Sequence, residues 1–330
     1  MFSKKPFSLW NIIYFILGLF LLYYLLKQID FHNLLQLIFQ IKLDYLLLGG
    51  FCYLCKALLR ALRYKRLNRR ISPGFLEMLR LTLATSLASQ ILPMKLGEFS
   101  YVYLMKKTNR SSISYGLSSL MVIRLIDLLA ISLLFIIVTL TVHQTVDISI
   151  YFYSILWFIG FLVAVILGLL LLSKTDRVNL QFILRFRPVE KLPILKKLLV
   201  GLENFLANLK QYKFSEYLEW IGLACLEWLV NYAVFQAILL GIGLTPSLFD
   251  TVVSVTFASL ASVLPINSIG NFGTQEAGWA TGLILLGYTK EIAITSGFAT
   301  HLLTLAYMLV LGGISWLSYF IRFKPDKNSS

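Results

Sequence analysis

Two stretches of this 330-residue chain set carboxylates, a lysine and helix-breaking residues inside otherwise apolar sequence. The first reads Ser86-Leu-Ala-Ser89, then Leu92-Pro93-Met-Lys95-Leu-Gly97-Glu98. The second reads Ser259-Leu-Ala-Ser262, then Leu264-Pro265, then Gly270-Asn-Phe-Gly273-Thr-Gln-Glu276. In each, an apolar arm meets a Pro/Gly break, and a carboxylate follows where a returning half-helix would begin. A helix start offers unpaired N–H groups and a positive dipole end, which suit a phosphate, and Lys95 adds a positive charge beside the first one. Glu98 and Glu276 would then contact an amine or a sugar hydroxyl of the same headgroup, or exchange a proton. Capping is the other reading: Glu276 follows Gly273 by three residues, where an acid satisfies local N–H groups. Capping and binding are compatible.

Further ionisable residues lie in apolar runs, where each costs at least a few kcal/mol and is a functional hypothesis for that reason. Arg124 and Asp127 are three apart on one helix face and either neutralise each other or leave Arg124 poised toward a polar cavity. Lys56 and Arg60 share a face; Arg60 is expected to snorkel to the membrane surface. Glu227, with Asn231 one turn on, has Lys56 or Arg80 as possible partners. His301 is either a hydrogen-bonded packing residue or a ligand.

These residues need membrane-embedded helices to hold them. The chain is 58% hydrophobic and 14% charged, against about 25% charged in soluble domains. Six runs are long enough to span, at about 8–26, 43–62, 114–142, 149–172, 217–243 and 291–320. Two more, about 75–107 and 249–288, are broken at Pro93–Gly97 and Pro265–Gly273 into arms too short to cross. Each is expected to form a re-entrant helical hairpin, since irregular backbone at membrane depth must be buried or line a polar cavity. The first run has Lys4 and Lys5 before it and no small-residue cleavage site after it, so it is expected to be a retained helix.

Basic residues set the orientation. With the N-terminus inside, the cytoplasmic segments hold Lys4, Lys5, the Arg60–Arg70 cluster, Lys106, Lys107, Arg110, the basic stretch Lys174–Lys213 and Arg322, Lys324 and Lys327; the outer loops hold Lys27, Lys42 and Lys290. Both termini are therefore expected in the cytoplasm of a multi-pass protein of the cytoplasmic membrane. The first hairpin would then open inward and the second outward, making 43–142 and 217–320 inverted repeats of helix, hairpin, helix within a single domain spanning 1–330. Paired, interrupted segments of this kind point to a transport site. The segment 173–216 places Leu192, Leu195, Leu199, Leu202, Phe205 and Leu209 at helical spacing between charges, as an amphipathic helix on the inner leaflet would. The net charge of +14 fits this loop distribution, not nucleic-acid binding.

Catalytic signatures are missing. The chain lacks G-x-x-x-x-G-K-[ST], H-E-x-x-H and G-x-S-x-G, and Cys52-x-x-Cys55 has no second pair, so no enzyme activity, metal or cofactor is expected.

Leu92-Pro93-x-Lys95-x-Gly97-Glu98, Arg124-Leu-Ile-Asp127 and Pro265-Ile-Asn-x-x-Gly-x-x-Gly273-x-x-Glu276 together resemble the lysylphosphatidylglycerol synthase transmembrane region, a flippase-like domain family. The resemblance covers nearly the whole chain. Ile123, Tyr101 and Gln275 stand where such sequences often carry charged residues. The resemblance implies translocation of a lipid with a polar head, such as aminoacylated phosphatidylglycerol or a polyprenyl-phosphate-linked sugar. The residues of these motifs, Lys95, Gly97, Glu98, Arg124, Asp127, Gly273 and Glu276, are the expected substrate contacts, and the other ionisable residues of the apolar runs, Lys56, Arg80, Glu227 and His301, are secondary candidates. Bifunctional relatives add a soluble aminoacyl-transfer domain; the chain ends soon after its last apolar run, so that transfer activity is not expected. The alternative is a non-transporting scaffold for a glycosyltransferase or lipid-modifying enzyme.

Overall fold

A computed structural model describes residues 9–92, 96–109, 111–142, 209–210, 212–264 and 269–322, and a few positions between 159 and 168. Among the described residues the structure is all helical, with no strand. In chain order the helices are α1 (Leu9–Leu26), α2 (Phe31–Phe39), α3 (Leu43–Leu67), α4 (Phe75–Ile91), α5 (Phe99–Asn109), α6 (Ile113–Val142), α7 (Phe214–Gly241), α8 (Leu248–Ala261), α9 (Thr274–Leu285) and α10 (Lys290–Arg322). Short 3-10 turns at Leu96–Glu98 and Ile269–Asn271 precede α5 and α9.

Four of the expected spans appear as helices long and apolar enough to cross a membrane, α3, α6, α7 and α10. The 8–26 run folds as α1, of 18 residues. The 149–172 span, apart from scattered positions, and most of the amphipathic stretch 173–216 lie outside the described residues. α3 continues to Leu67, past the end expected from its apolar run, and this brings Arg63 into the protein.

The chain divides into two compact units, one of residues 1–116 with 226–330, the other of 117–225. Both broken stretches belong to the first unit. The first folds as α4, a turn and α5; the second as α8, a turn and α9. The second pair closes tightly because Gly278 and Gly282, one turn apart on α9, face α8. A Cβ on Gly278 would stand 2.5 Å from the Phe257 carbonyl oxygen and 2.9 Å from the Ala258 Cα. Small residues at this spacing let helix backbones approach where no water drives association.

α10 is the spine of this unit. Along its C-terminal half it meets α4: the Ser315 hydroxyl donates to the Arg80 carbonyl (2.5 Å), the Trp316 indole N–H to the Ala84 carbonyl (2.8 Å), and Gly312 lies against Leu83 and Leu87. Along its N-terminal half it meets α9: the Trp279 indole N–H donates to the Ser296 hydroxyl (3.0 Å), and Gly297 lies under the Trp279 ring. Both helices run antiparallel to α10, and their inner ends meet at His301. From Ser296 to Trp316 the spine rises about 30 Å, the thickness of a hydrocarbon core. The Tyr307 hydroxyl ties α10 to α3 by donating to the Leu46 carbonyl (2.7 Å).

α2 is capped by Asp30, whose carboxylate accepts from the His32 N–H (2.9 Å). It buries Leu34 and exposes Phe31, Leu35 and Phe39 along the opposite face.

In the second unit, α6 buries Val122, Ile123, Ile126 and Leu129. Tyr212, Tyr217 and Trp220 form an edge-to-face aromatic cluster, with Tyr212 and Trp220 centroids 4.9 Å apart.

Candidate functional site

The two interruptions, 180 residues apart in sequence, touch. Gln90, on the last turn of α4, donates from Nε2 to the Gly270 carbonyl oxygen (3.0 Å) and accepts at Oε1 from Asn271 Nδ2 (3.0 Å). These two bonds fix the amide orientation. The second Nε2 proton points to His301 Nε2, a close contact in which the ring nitrogen must accept. The imidazole proton therefore sits on Nδ1, which faces Glu276 Oε1. Glu276 Oε2 accepts the Gly273 N–H at 2.7 Å, satisfying the backbone donor at the start of α9. A chain of polar contacts thus runs from the tip of one hairpin through the spine to the tip of the other.

Local chemistry builds this joint. Gly270 (φ +73°), Asn271 (φ +58°) and Gly273 (φ +90°) turn the chain through the left-handed region, which glycine and asparagine tolerate. At Gly273 there is a second constraint, since a Cβ would approach the Leu22 N (2.9 Å) and Gly18 O (3.1 Å) of α1. In the first hairpin Gly97 is buried so closely on the Ala88 carbonyl and Ser89 Cα that no side chain fits. The Phe272 ring stacks on His301, with centroids 4.4 Å apart. Glu276 and His301 are 0% and 1% exposed. Polar groups this deep are tolerated only when hydrogen-bonded. Both carboxylate oxygens of Glu276 and both ring nitrogens of His301 meet that condition.

One turn from the joint lies a column of cations. Lys56, Arg60 and Arg63 occupy positions i, i+4 and i+7 of α3 and face α7. Arg60 Nε reaches Glu227 Oε1 at 2.6 Å and Arg63 Nη2 reaches Oε2 at 2.8 Å, so one buried carboxylate spans two guanidinium groups. Lys56 Nζ donates to Asn231 Oδ1 (2.8 Å) and stands 4.8 Å from the Tyr53 ring centroid. Arg60 Nη1 donates to the Ser86 hydroxyl (3.1 Å), on α4 one turn before Gln90. Arg60 therefore turns inward to Glu227 rather than out to the membrane surface. Glu227 takes Arg60 and Arg63 as its ion-pair partners, where the sequence offered Lys56 or Arg80. Arg80 is exposed on α4.

A family model described as the lysylphosphatidylglycerol synthase TM region matches residues 11–313. The chain belongs to that family. A UPF0104 membrane protein of the archaeon Methanocaldococcus jannaschii is 30% identical over 219 residues, covering 65% of this chain and 85% of the relative.

Against that family identity, the expected substrate-contact residues separate into groups. Gly97, Gly273, Glu276 and His301 lie at or beside the joint. Glu98 is half-buried in the 3-10 turn leading into α5, so both carboxylates stand at the starts of returning helices as their spacing implies. Lys95 lies outside the described residues. Arg124 and Asp127 belong to the second unit and pair with each other at 3.9 Å, with Arg124 47% and Asp127 14% exposed. Gln90, Asn271 and Arg63 are the residues that sequence reasoning passed over. Arg63 had a legible signal in its i+7 spacing from Lys56. Gln90 had none beyond its place next to the break.

Proposed function

We propose that this membrane protein translocates a lipid whose head carries a phosphate or other polar group, without making or breaking covalent bonds. The observation that carries the reading is the meeting of two hairpins end to end along α10, one beside each half, through the buried Gln90–His301–Glu276 contact. Two broken helices approaching from opposite ends of a spanning helix fit opposed re-entrant hairpins in a cytoplasmic membrane with both termini inside. An isolated ion in hydrocarbon faces an idealised penalty of order 20 kcal/mol. A polar seam between the hairpins lowers that barrier while the acyl chains stay in lipid. Lys56, Arg60 and Arg63 are of the side-chain types that engage phosphate, Arg in forked pairs and Lys as a point charge. They lead along α3 to within one helical turn of the seam. In this reading the joint is the closed state of the path and must part for a headgroup to pass. Glu98 and Lys95, at the first hairpin's turn, would meet the head as it enters.

The test is headgroup accessibility in proteoliposomes holding only this protein, with fluorescent phosphatidylglycerol and a membrane-impermeant quencher. Quenching beyond the outer-leaflet half is expected, and its loss in Glu276→Gln. Gln keeps an oxygen for the Gly273 N–H but offers His301 a donor where it needs an acceptor. Flipping in that variant at the wild-type rate would overturn the role given to the joint. Quenching confined to the outer leaflet, with phosphatidylglycerol and with polyprenyl-phosphate lipids alike, would favour a scaffold that docks a lipid-modifying enzyme.

A further inference from the structure

A cavity of about 270 Å³ opens at the end of the second hairpin opposite its tip, between the last turn of α7, the first of α8, the last of α9 and the first of α10. Leu239, Leu244, Pro246, Leu283 and Ile292 give it an apolar side, and Thr245 adds a hydroxyl to the polar one. Among the described residues that line the space, Asp250 supplies the one carboxylate, and there is no lysine, arginine or histidine.

Asp250 is held in place. Its Oδ2 accepts the Ser247 N–H (2.9 Å), completing the cap of α8, and the Tyr288 hydroxyl (2.8 Å). Burial, the hydrogen bond to Asp250 and that carboxylate's charge together push the Tyr288 phenol up to about 12, so it remains a donor across the physiological range. Thr251 and Ser254 donate their hydroxyl protons to Gln236 and to the Asp250 carbonyl, which leaves their oxygens as neutral acceptors only. Oδ1 of Asp250 receives no hydrogen bond among the described residues. The cavity therefore presents one fixed, negatively charged acceptor against an apolar wall, in a chain whose net charge is +14.

A lone carboxylate in a partly dehydrated site is stabilised by a cation with N–H donors, and the apolar wall rewards an alkyl stem on that cation. Anions are repelled, and neutral alcohols forgo the charge-assisted bond. We propose that this cavity is a binding site for an organic ammonium ion carrying a short apolar stem, with Asp250 as its counter-ion and Tyr288 as the residue that positions the carboxylate. The proposal stands without the translocation reading. The same chemistry is offered by a free alkylamine and by an amine-bearing lipid headgroup.

The experiment is isothermal titration of the full-length protein in detergent with n-butylammonium, and with n-butanol as the uncharged control. Butylammonium is expected to bind and butanol to bind at least tenfold more weakly, roughly the worth of one charge-assisted hydrogen bond. Asp250→Asn retains an oxygen for the Ser247 N–H, so α8 stays capped, and should weaken butylammonium by about tenfold or more. Leu244→Trp leaves the charge intact and fills the space; it should abolish binding, and it serves if Asp250→Asn misfolds. Phosphatidylethanolamine in nanodiscs that competes with butylammonium would support the site as a lipid-head site; absence of competition alongside butylammonium binding would support it as a site for free amines. Equal binding of butanol, or unchanged binding in Leu244→Trp, would overturn the proposal.

Discussion

Glu227 is the residue on which most charge depends. Two guanidinium groups converge on it inside the protein, so Glu227→Gln removes the carboxylate that both share. Breaking a buried pair from one side costs about 3–5 kcal/mol, and the variant should unfold at a clearly lower temperature in detergent. An unchanged melting temperature would mean that the carboxylate does not hold the column. Gln90→Leu should be a different kind of lesion. It strips partners from Gly270, Asn271 and His301, each unmet buried group costing about 1–3 kcal/mol, and should abolish quencher-detected flipping. Tyr288 gives a pH signature. Its phenol titrates near 10 when unfolded and about 12 in the fold; the folded state then holds the proton more tightly, so stability is full below pH 10 and declines between 10 and 12. Tyr288→Phe should make that alkaline slope shallower by the share of this one phenol, as urea titrations across the range would show. At this scale the sequence exposed what is charged and out of place, namely Glu276, His301, Glu227 and Lys56. It hid Gln90, whose neutral amide at a helix end looks like ordinary surface. It also hid the direction of Arg60 and Arg63, because the acid that turns them inward lies some 165 residues downstream.

Among the elements, the broken stretches were legible because proline and glycine interrupt helices for local reasons, and α4–α5 and α8–α9 break where those residues stand. Their packing was not legible. Gly278 and Gly282 read as weak points in a helix until α8 is seen against them. Gly278→Val should push α8 and α9 apart at a cost of about 1–3 kcal/mol or more from overpacking. Gly313, on α10, has open space where a side-chain carbon would stand, with no atom within 4 Å of that point. Gly313→Ala should therefore not lower the melting temperature, and a like loss in both variants would show that the hairpin's closeness is not the cause. α3 runs on past its apolar stretch for a related reason. An apolar run measures what a helix can bury in lipid, while hydrogen bonding and the Glu227 ion pairs carry the same helix on to Leu67.

For the molecule as a whole, the central feature is that both hairpins share one compact unit and meet on one helix. Cysteines at Gln90 and Asn271, in a background without Cys52, Cys55 and Cys225, should form a disulfide that locks the tips and stops flipping until a reductant is added. Continued flipping by the oxidised protein would place the lipid's route elsewhere. The short helix α2 bears on all of this from a distance. With Phe31, Leu35 and Phe39 exposed on its outer face, it would, in the proposed reading, float at the lipid–water boundary, and α3 follows directly from it. Lys56 would then stand about 20 Å below that boundary, whatever the lipid around it. The bilayer's own thickness decides how far the cation column stands from the opposite surface, so short-chain lipids should quicken the protein and long-chain lipids slow it, with hydrophobic mismatch acting as a throttle.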